Sequence, residues 1–379
     1  MELRSKGKNM AKNKYCSNKV PERLGKVGGQ AVIEGVMMKA GERVFTTCKK
    51  EDGSIFVNDS TFVSVRKKHK ILNIPILRGV INFVEMLMLS FKTLSVSAEA
   101  FDIDTEKDKK RKAEGKKTTT DFVMIIGLIL GVLLAVGLFI FLPGLISDLV
   151  AYLVKRFSGY EINRTLLAVI EGLSKIVIFI LYLVLVSLMP DIKCTFMYHG
   201  AEHKSIACFE SGAELTPENA RKYTRFHPRC GTSFMFVMIL LGIAVGILIN
   251  NLFPSLNRFA LSGIRLFILP LVVGLGHEFI MFAGKHDNPV TRALSAPGLW
   301  MQRITTREPT DDMLEIAIIS IKCALRDDFP EFKEFYELRS WEPKCDSDEE
   351  SSDAEKDADF SDTEKIGEAD DSKKEDSEA

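Results

Sequence analysis

Four stretches of the chain stay apolar for twenty residues or more, and they frame everything between them. Residues 122–142 (FVMIIGLILGVLLAVGLFIFL) carry no charge. At about 1.5 Å rise per residue this run spans the roughly 30 Å hydrocarbon core of a bilayer. Residues 166–189, 234–253 and 264–283 are the other three. The first of these contains Glu171 and Lys175, and the last contains Arg265 near its start and His277-Glu278 near its end. Residues 71–94 differ, because Arg78 and Glu85 interrupt the apolar run, which predicts an interfacial or re-entrant helix. Upstream, short alternating runs (QAVIEGVMM, RVFTTC, SIFV, TFVSV) with an Asp52-Gly53 turn predict a small β unit. Downstream, residues 295–309 read as a loop with a short Trp-containing interfacial helix. Thr310 then caps, and Asp311-Asp312 begin, an apolar helix over 313–325.

The pattern predicts a mainly α, polytopic membrane protein with about four transmembrane helices and a small N-terminal β-rich cytosolic unit. Its divisions are a basic tail (1–26), the β unit (27–70), and a re-entrant or interfacial helix with a basic linker (71–120). A four-span membrane domain (121–284) with a His/Cys loop at 190–233 follows, then a helical segment (285–338) and a disordered acidic tail (339–379). Glycine pairs at Gly127/Gly131 and Gly242/Gly246 predict close helix approach. The Glu171–Lys175 spacing predicts mutual neutralisation along one helix face, and Arg265 is expected to snorkel to the interface.

Composition fits that segregation: 46% of residues are hydrophobic, 25 are Phe, and 27% are still charged. A simple soluble enzyme and a secreted disulfide scaffold are excluded. The net charge of −1 conceals an asymmetry, because residues 346–379 hold 16 acids against 4 lysines (−12), leaving +11 for residues 1–345. The first 26 residues hold eight Lys/Arg and no apolar core, unlike a secretory signal. Seven Lys/Arg precede the first span and six lie in residues 190–233, against three and one in the alternate connections. Both termini are therefore expected inside. All seven cysteines fall on that side, where thiols or metal ligands are favoured over disulfides. No nucleic-acid partner is expected.

Four of the six histidines sit in one part of this topology. The segment YHGAEHK contains H-x-x-E-H, which on a helix puts His199 and His203 on one face with Glu202 placed as a general base. His227 and Cys230 follow in HPRC, three residues apart. His277 and Glu278 end the fourth span on the same side, Asp191 is near, and Glu34 faces the same compartment. Nitrogen and sulfur donors favour zinc. His199, His203, His227 and Cys230 would make a closed structural site, whereas a shell completed by Glu278 or a water would be open to catalysis.

GGQAVIEGVMM, YHGAEHKSIACFE, HPRCGTSF, GHEFI and APGLWMQRITTREPTDDMLEIAI together resemble a bacterial family of integral membrane proteins, the DUF1385 family, over residues 26–325. The family is also labelled a predicted metal-dependent enzyme. The resemblance implies a bacterial cell-membrane location and a metal-dependent activity. It sets the polar signature on Glu34, His199, Glu202, His203, His227, Cys230, His277 and Glu278. The first expectation is a zinc-dependent hydrolase acting at the inner leaflet on a lipid-linked or membrane-peptide substrate. The alternatives are a scaffold with a structural zinc site and a small transporter using Glu171, Lys175 and Arg265.

Overall fold

The computed structural model describes residues 20–50, 52–100, 119–285, 289–330 and 340–341, all in one compact unit. The expected linker and most of both expected tails lie outside the described residues. Strands β1 (Val27–Val32), β2 (Gly35–Ala40), β3 (Arg43–Lys49) and β4 (Ile55–Thr61) form an antiparallel meander in chain order. A two-residue β5 (Ser340–Trp341) pairs with β4. Side chains alternate faces along each strand. Val36, Met38 and Phe45 point to one core, while Met37, Val44 and Cys48 point to another.

Both faces are covered. Against the first lie α5 (Pro190–Glu210), through Tyr198, Ile206 and Phe209, and α10 (Asp311–Ala324), through Leu314, Ile318 and Ile321. Thr310 caps α10 by accepting from Met313 N, with Asp311 and Asp312 in the first turn, as the sequence predicts. Against the second face lies Leu89 of α1 (Leu77–Ala100).

The remaining helices form an apolar bundle. They are α2 (Thr119–Val136), joined by a π-turn to α3 (Leu142–Ser158), then α4 (Arg164–Val186), α7 (Gly231–Leu252), α8 (Arg258–Lys285) and α9 (Pro289–Thr305), while the short α6 (Pro217–Arg221) packs on α5 and α10 through Ala220. Helices α4 and α7 run antiparallel: Thr165 meets Asn251, Gly172 meets Ile243, and Phe179 clusters with Phe236. Helix α8 reverses again, with Arg265 beside Gly246 and Gly276 beside Met238. The bundle thus has a near end, where the sheet, α5 and α10 lie, and a far end at residues 158–165 and 251–258. The preceding helix joins the two levels, since Phe139 packs on Phe179 and Tyr182 while Ser147 donates to Leu167 O (2.9 Å).

Three expectations need correction. Five helices, not four, are long and apolar enough to cross a membrane, the additional one being Leu77–Ala98. Arg78 and Glu85 do not shorten it, because each has a fixed partner: Arg78 pairs with Glu278, and Glu85 accepts from Ser64 Oγ (2.8 Å) and Val65 N (2.7 Å). One end of this helix nevertheless reaches the sheet, and the other lies part-way into the bundle beside Gly274 and Glu278 of α8. The chain leaves β4, passes Arg66 beside Asn82, and turns at Ile76, whose φ of +70° is left-handed. It then returns along α1 to the sheet, where Gln30 bonds Thr93 and Ile33 N donates to Ser97. Its tip packs Gly79 onto Gly274 and His277.

The second correction concerns the glycine pairs. Nothing lies within 4 Å of a Cβ at Gly127, Gly131 or Gly242; close helix approaches are made instead by glycines such as Gly79, Gly172 and Gly276. The third concerns Arg265, which does not snorkel outward. It turns inward onto Glu171, which Lys175 also contacts at 3.0 Å, as its spacing predicts. Without these partners the Glu171 carboxylate would be a buried, uncompensated charge.

Candidate metal centre

Helix α5 carries the H-x-x-E-H segment in its middle, almost wholly buried from Tyr198 to Glu210. Burying a helix with so many polar groups requires a partner for each. His199 Nδ1 lies 2.9 Å from the Thr305 carbonyl at the end of α9, and His203 Nδ1 lies 2.5 Å from the Arg225 carbonyl. A carbonyl only accepts, so both Nδ1 atoms carry a proton, and it is Nε2 whose lone pair the neutral ring would offer a cation. Backbone carbonyls holding the far nitrogen are the usual outer support of metal-bound imidazoles.

Cys230, at the N-cap of α7, completes a group of three. One donor atom from each of His199, His203 and Cys230 lies within 4.8 Å of the others. His199 Nε2 is 3.3 Å from Cys230 Sγ. Bond lengths of about 2.0–2.1 Å to nitrogen and 2.3 Å to sulfur at tetrahedral angles would separate such atoms by about 3.5 Å. The donors have the chemistry a zinc-sized cation takes, and the His199–Cys230 separation has the spacing.

Glu202 projects beside this group. Its carboxylate lies 3.9 Å from His199 Nε2, beyond hydrogen-bond reach, and accepts from the backbone N–H of Gly29 on β1. Burial pushes its pKa up to about 7, with His199 and the Gly29 amide opposing the shift. Two glycines permit these approaches. A Cβ on Gly29 would sit 3.1 Å from Glu202 Cγ and 2.6 Å from Met37 O, and one on Gly200 would sit 2.0 Å from Arg307 O.

The other expected residues lie in different settings. His227 is buried, its ring centroid 5.4 Å from that of His203, yet its Nδ1 accepts from Arg229 N (3.2 Å). Burial, aided by Arg229, lowers its pKa to about 3, so the ring stays neutral. His277 and Glu278 are not in the group of three: Glu278 forms a two-pronged pair with Arg78 and accepts from Ile76 N, fastening the tip of the α1 hairpin. Glu34 occupies the β1–β2 turn with φ +47° and accepts from the Cys194 thiol. Burial and this carboxylate push that thiol up to about 12. Asp191 is exposed in the first turn of α5.

A family model described as "Protein of unknown function (DUF1385)" matches residues 74–327. A relative from Bacillus subtilis (strain 168), described as "Uncharacterized protein YqhQ", is 32% identical over 308 residues, covering 79% of this chain and 92% of its own length. The chain belongs to the DUF1385 family. No solved structure matches it. Within this family member, all three residues of the candidate group lie inside the matched region, whereas Gly29 and Glu34 precede it.

Sequence reasoning passed over the residue that organises the site. Gln302 on α9 is fully buried. Its Oε1 accepts from His227 N (2.7 Å), and its Nε2 donates to His227 O (2.8 Å) and Ser233 Oγ (3.1 Å). That clamp fixes the chain on both sides of Cys230. One turn later on the same helix, Thr305 orients His199. The spacing of Gly298, Gln302 and Thr305, four and three apart, was the available signal for a helix face turned toward the HPRC segment.

Proposed function

We propose that this protein is a membrane-embedded, metal-dependent enzyme, a hydrolase working at the cytosolic face of a bacterial plasma membrane. His199, His203 and Cys230 would hold zinc, which supplies Lewis acidity beside a buried carboxylate. The observation that carries this reading is the convergence of two lone-pair-bearing imidazole nitrogens and one thiol, with Glu202 alongside. A three-donor shell leaves a coordination position open, the arrangement of catalytic rather than structural zinc. His227 Nδ1 accepts from Arg229 N, the Glu278 carboxylate is paired with Arg78, and neither residue is in the group of three, which favours the open shell. Gly29 N–H aims the Glu202 carboxylate, leaving it placed to take a proton.

The membrane setting is supported by the five apolar helices and by α2, where residues from Leu128 to Leu134 expose large aliphatic side chains. In the reading proposed here, four helices cross and α1 is re-entrant. The sheet, α5 and α10 pack together, so an even number of crossings must separate them along the chain. Counting 125–158, 164–186, 231–252 and 259–282 satisfies that parity, and adding Leu77–Ala98 breaks it. With basic segments inside, the metal centre falls on the cytosolic face and both termini with it. Lipid-linked or membrane-peptide substrates suit such a depth.

A second reading rests on the same 3.3 Å contact. Cys230 beside His199, itself oriented by Thr305, has the geometry of a thiol nucleophile and its base. One experiment separates the readings: metal analysis of purified wild-type, H199A and E202Q protein, together with function in cells lacking their own copy. The proposal expects about one zinc per chain in wild type and E202Q, none in H199A, and loss of function in both variants. Wild-type protein without metal, whose thiol is alkylated with loss of function, would favour the second reading. Full function in E202Q would leave the metal a structural role.

A further inference from the structure

A second polar cluster lies inside the bundle, toward the end opposite the candidate metal centre. Glu171 and Lys175 of α4, Arg265 of α8 and Asn250 of α7 meet there. Lys175 Nζ reaches Glu171 at 3.0 Å, Arg265 grips both oxygens of Glu171, and Arg265 Nη2 donates to Asn250 Oδ1 at 2.9 Å. The side chains of Glu171, Lys175 and Arg265 are only 8%, 16% and 14% exposed.

The charges do not balance. Two cations face one carboxylate, and Asn250 is neutral, so the cluster carries a surplus of +1 among apolar helices. An uncompensated charge in such surroundings is strongly disfavoured. The donors are in surplus too. Lys175 Nζ makes one hydrogen bond where it has three N–H groups, and the buried Nε of Arg265 has no partner. Opposite that Nε lies Gly246, where even an added Cβ would remain 3.9 Å away. Of the Gly242/Gly246 pair, which does not serve close helix packing here, Gly246 is the one whose bare backbone faces Arg265.

We propose that this cluster binds a small inorganic anion, chloride or one of similar size, reached from the far end of the bundle. Arg265 Nε and Lys175 Nζ would donate to it, Asn250 and Glu171 would hold Arg265 in place, and Gly246 would leave room. Glu171 and Arg265 are each the eighth residue of their helix as counted from the far end, about 10 Å in. That depth suits an ion from solution better than a lipid phosphate at the membrane surface. The inference does not depend on the metal centre.

The test uses full-length protein in detergent, with thermal unfolding followed as chloride replaces gluconate at constant ionic strength. Parallel arms contain bromide, inorganic phosphate, or phosphatidylglycerol in mixed micelles. Wild type should show a saturable rise in Tm with chloride and bromide. K175M keeps the Glu171–Arg265 pair and should raise the half-saturating chloride concentration at least about ten-fold, as expected when a unit charge beside the anion is removed. G246A keeps every charge but fills the space over Arg265 Nε, and should weaken the response likewise. A wild type indifferent to halide would mean that Lys175 sheds its proton instead, and would overturn the proposal. So would an equal salt response in all three proteins, or stabilisation by the anionic lipid alone.

Discussion

At the scale of single residues, the chemistry open to the site is set by which atom of each side chain is already committed. His199 and His203 each spend Nδ1 on a carbonyl, which leaves Nε2 as the only donor to a cation. Gln302 makes three hydrogen bonds without touching the group of three, and so acts as a positioning residue. Q302L should preserve the helical circular-dichroism spectrum while weakening zinc binding roughly 10–100-fold in a chelator competition, the usual cost of losing outer support. Unchanged affinity would mean that the HPRC segment holds Cys230 unaided. The i,i+4 histidines and the carboxylate between them were readable from the sequence, because helix periodicity alone sets their face. Gln302 was not, because a glutamine on an amphipathic helix announces nothing until its partners are known. His277 and Glu278 were read to the right side of the molecule but not to the right neighbours. Topology gives a side, and only packing reveals that Arg78 claims the carboxylate.

At the scale of elements, the site exists because α5 is squeezed between β1 and the segment that follows α9. Arg307 N donates to Phe196 O at 2.8 Å, and Gly200 passes directly against Arg307 O. G200A should therefore destabilise by about 1–3 kcal/mol or more through overpacking. G28A, where no atom lies within 4 Å of the new Cβ, serves as the control and should be near neutral. Urea unfolding of the two variants checks this, and equal stability would place α5 more loosely than described. The strands and α10 followed their alternation and cap signals, since both patterns act locally. A helix over residues 71–94, interfacial or re-entrant because of the charges at 78 and 85, was anticipated, and α1 is helical there. Its full helical length was not, because those charges find partners rather than ending the helix.

At the scale of the whole molecule, α5 and α10 cover one face of the sheet and α1 the other, beside a bundle whose two ends carry different chemistry. The parity of crossings is directly testable with single engineered cysteines and a membrane-impermeant maleimide. S158C should label in intact cells, whereas T61C and D191C should label only after lysis. Labelling of T61C from outside would make Leu77–Ala98 a true span and separate the sheet from α5, which the shared core forbids. Zinc removal carries a further expectation. A chelator should lower the Tm of wild type and leave H203A unaffected, because ligand binding to the folded state alone is stabilising. The most direct test of the central claim is X-ray absorption spectroscopy at the zinc edge on purified protein. Two imidazole nitrogens at about 2.0–2.1 Å and one sulfur at about 2.3 Å are expected, with the sulfur contribution lost in C230S. A zinc shell without sulfur in wild type, or one unchanged by C230S, would contradict it.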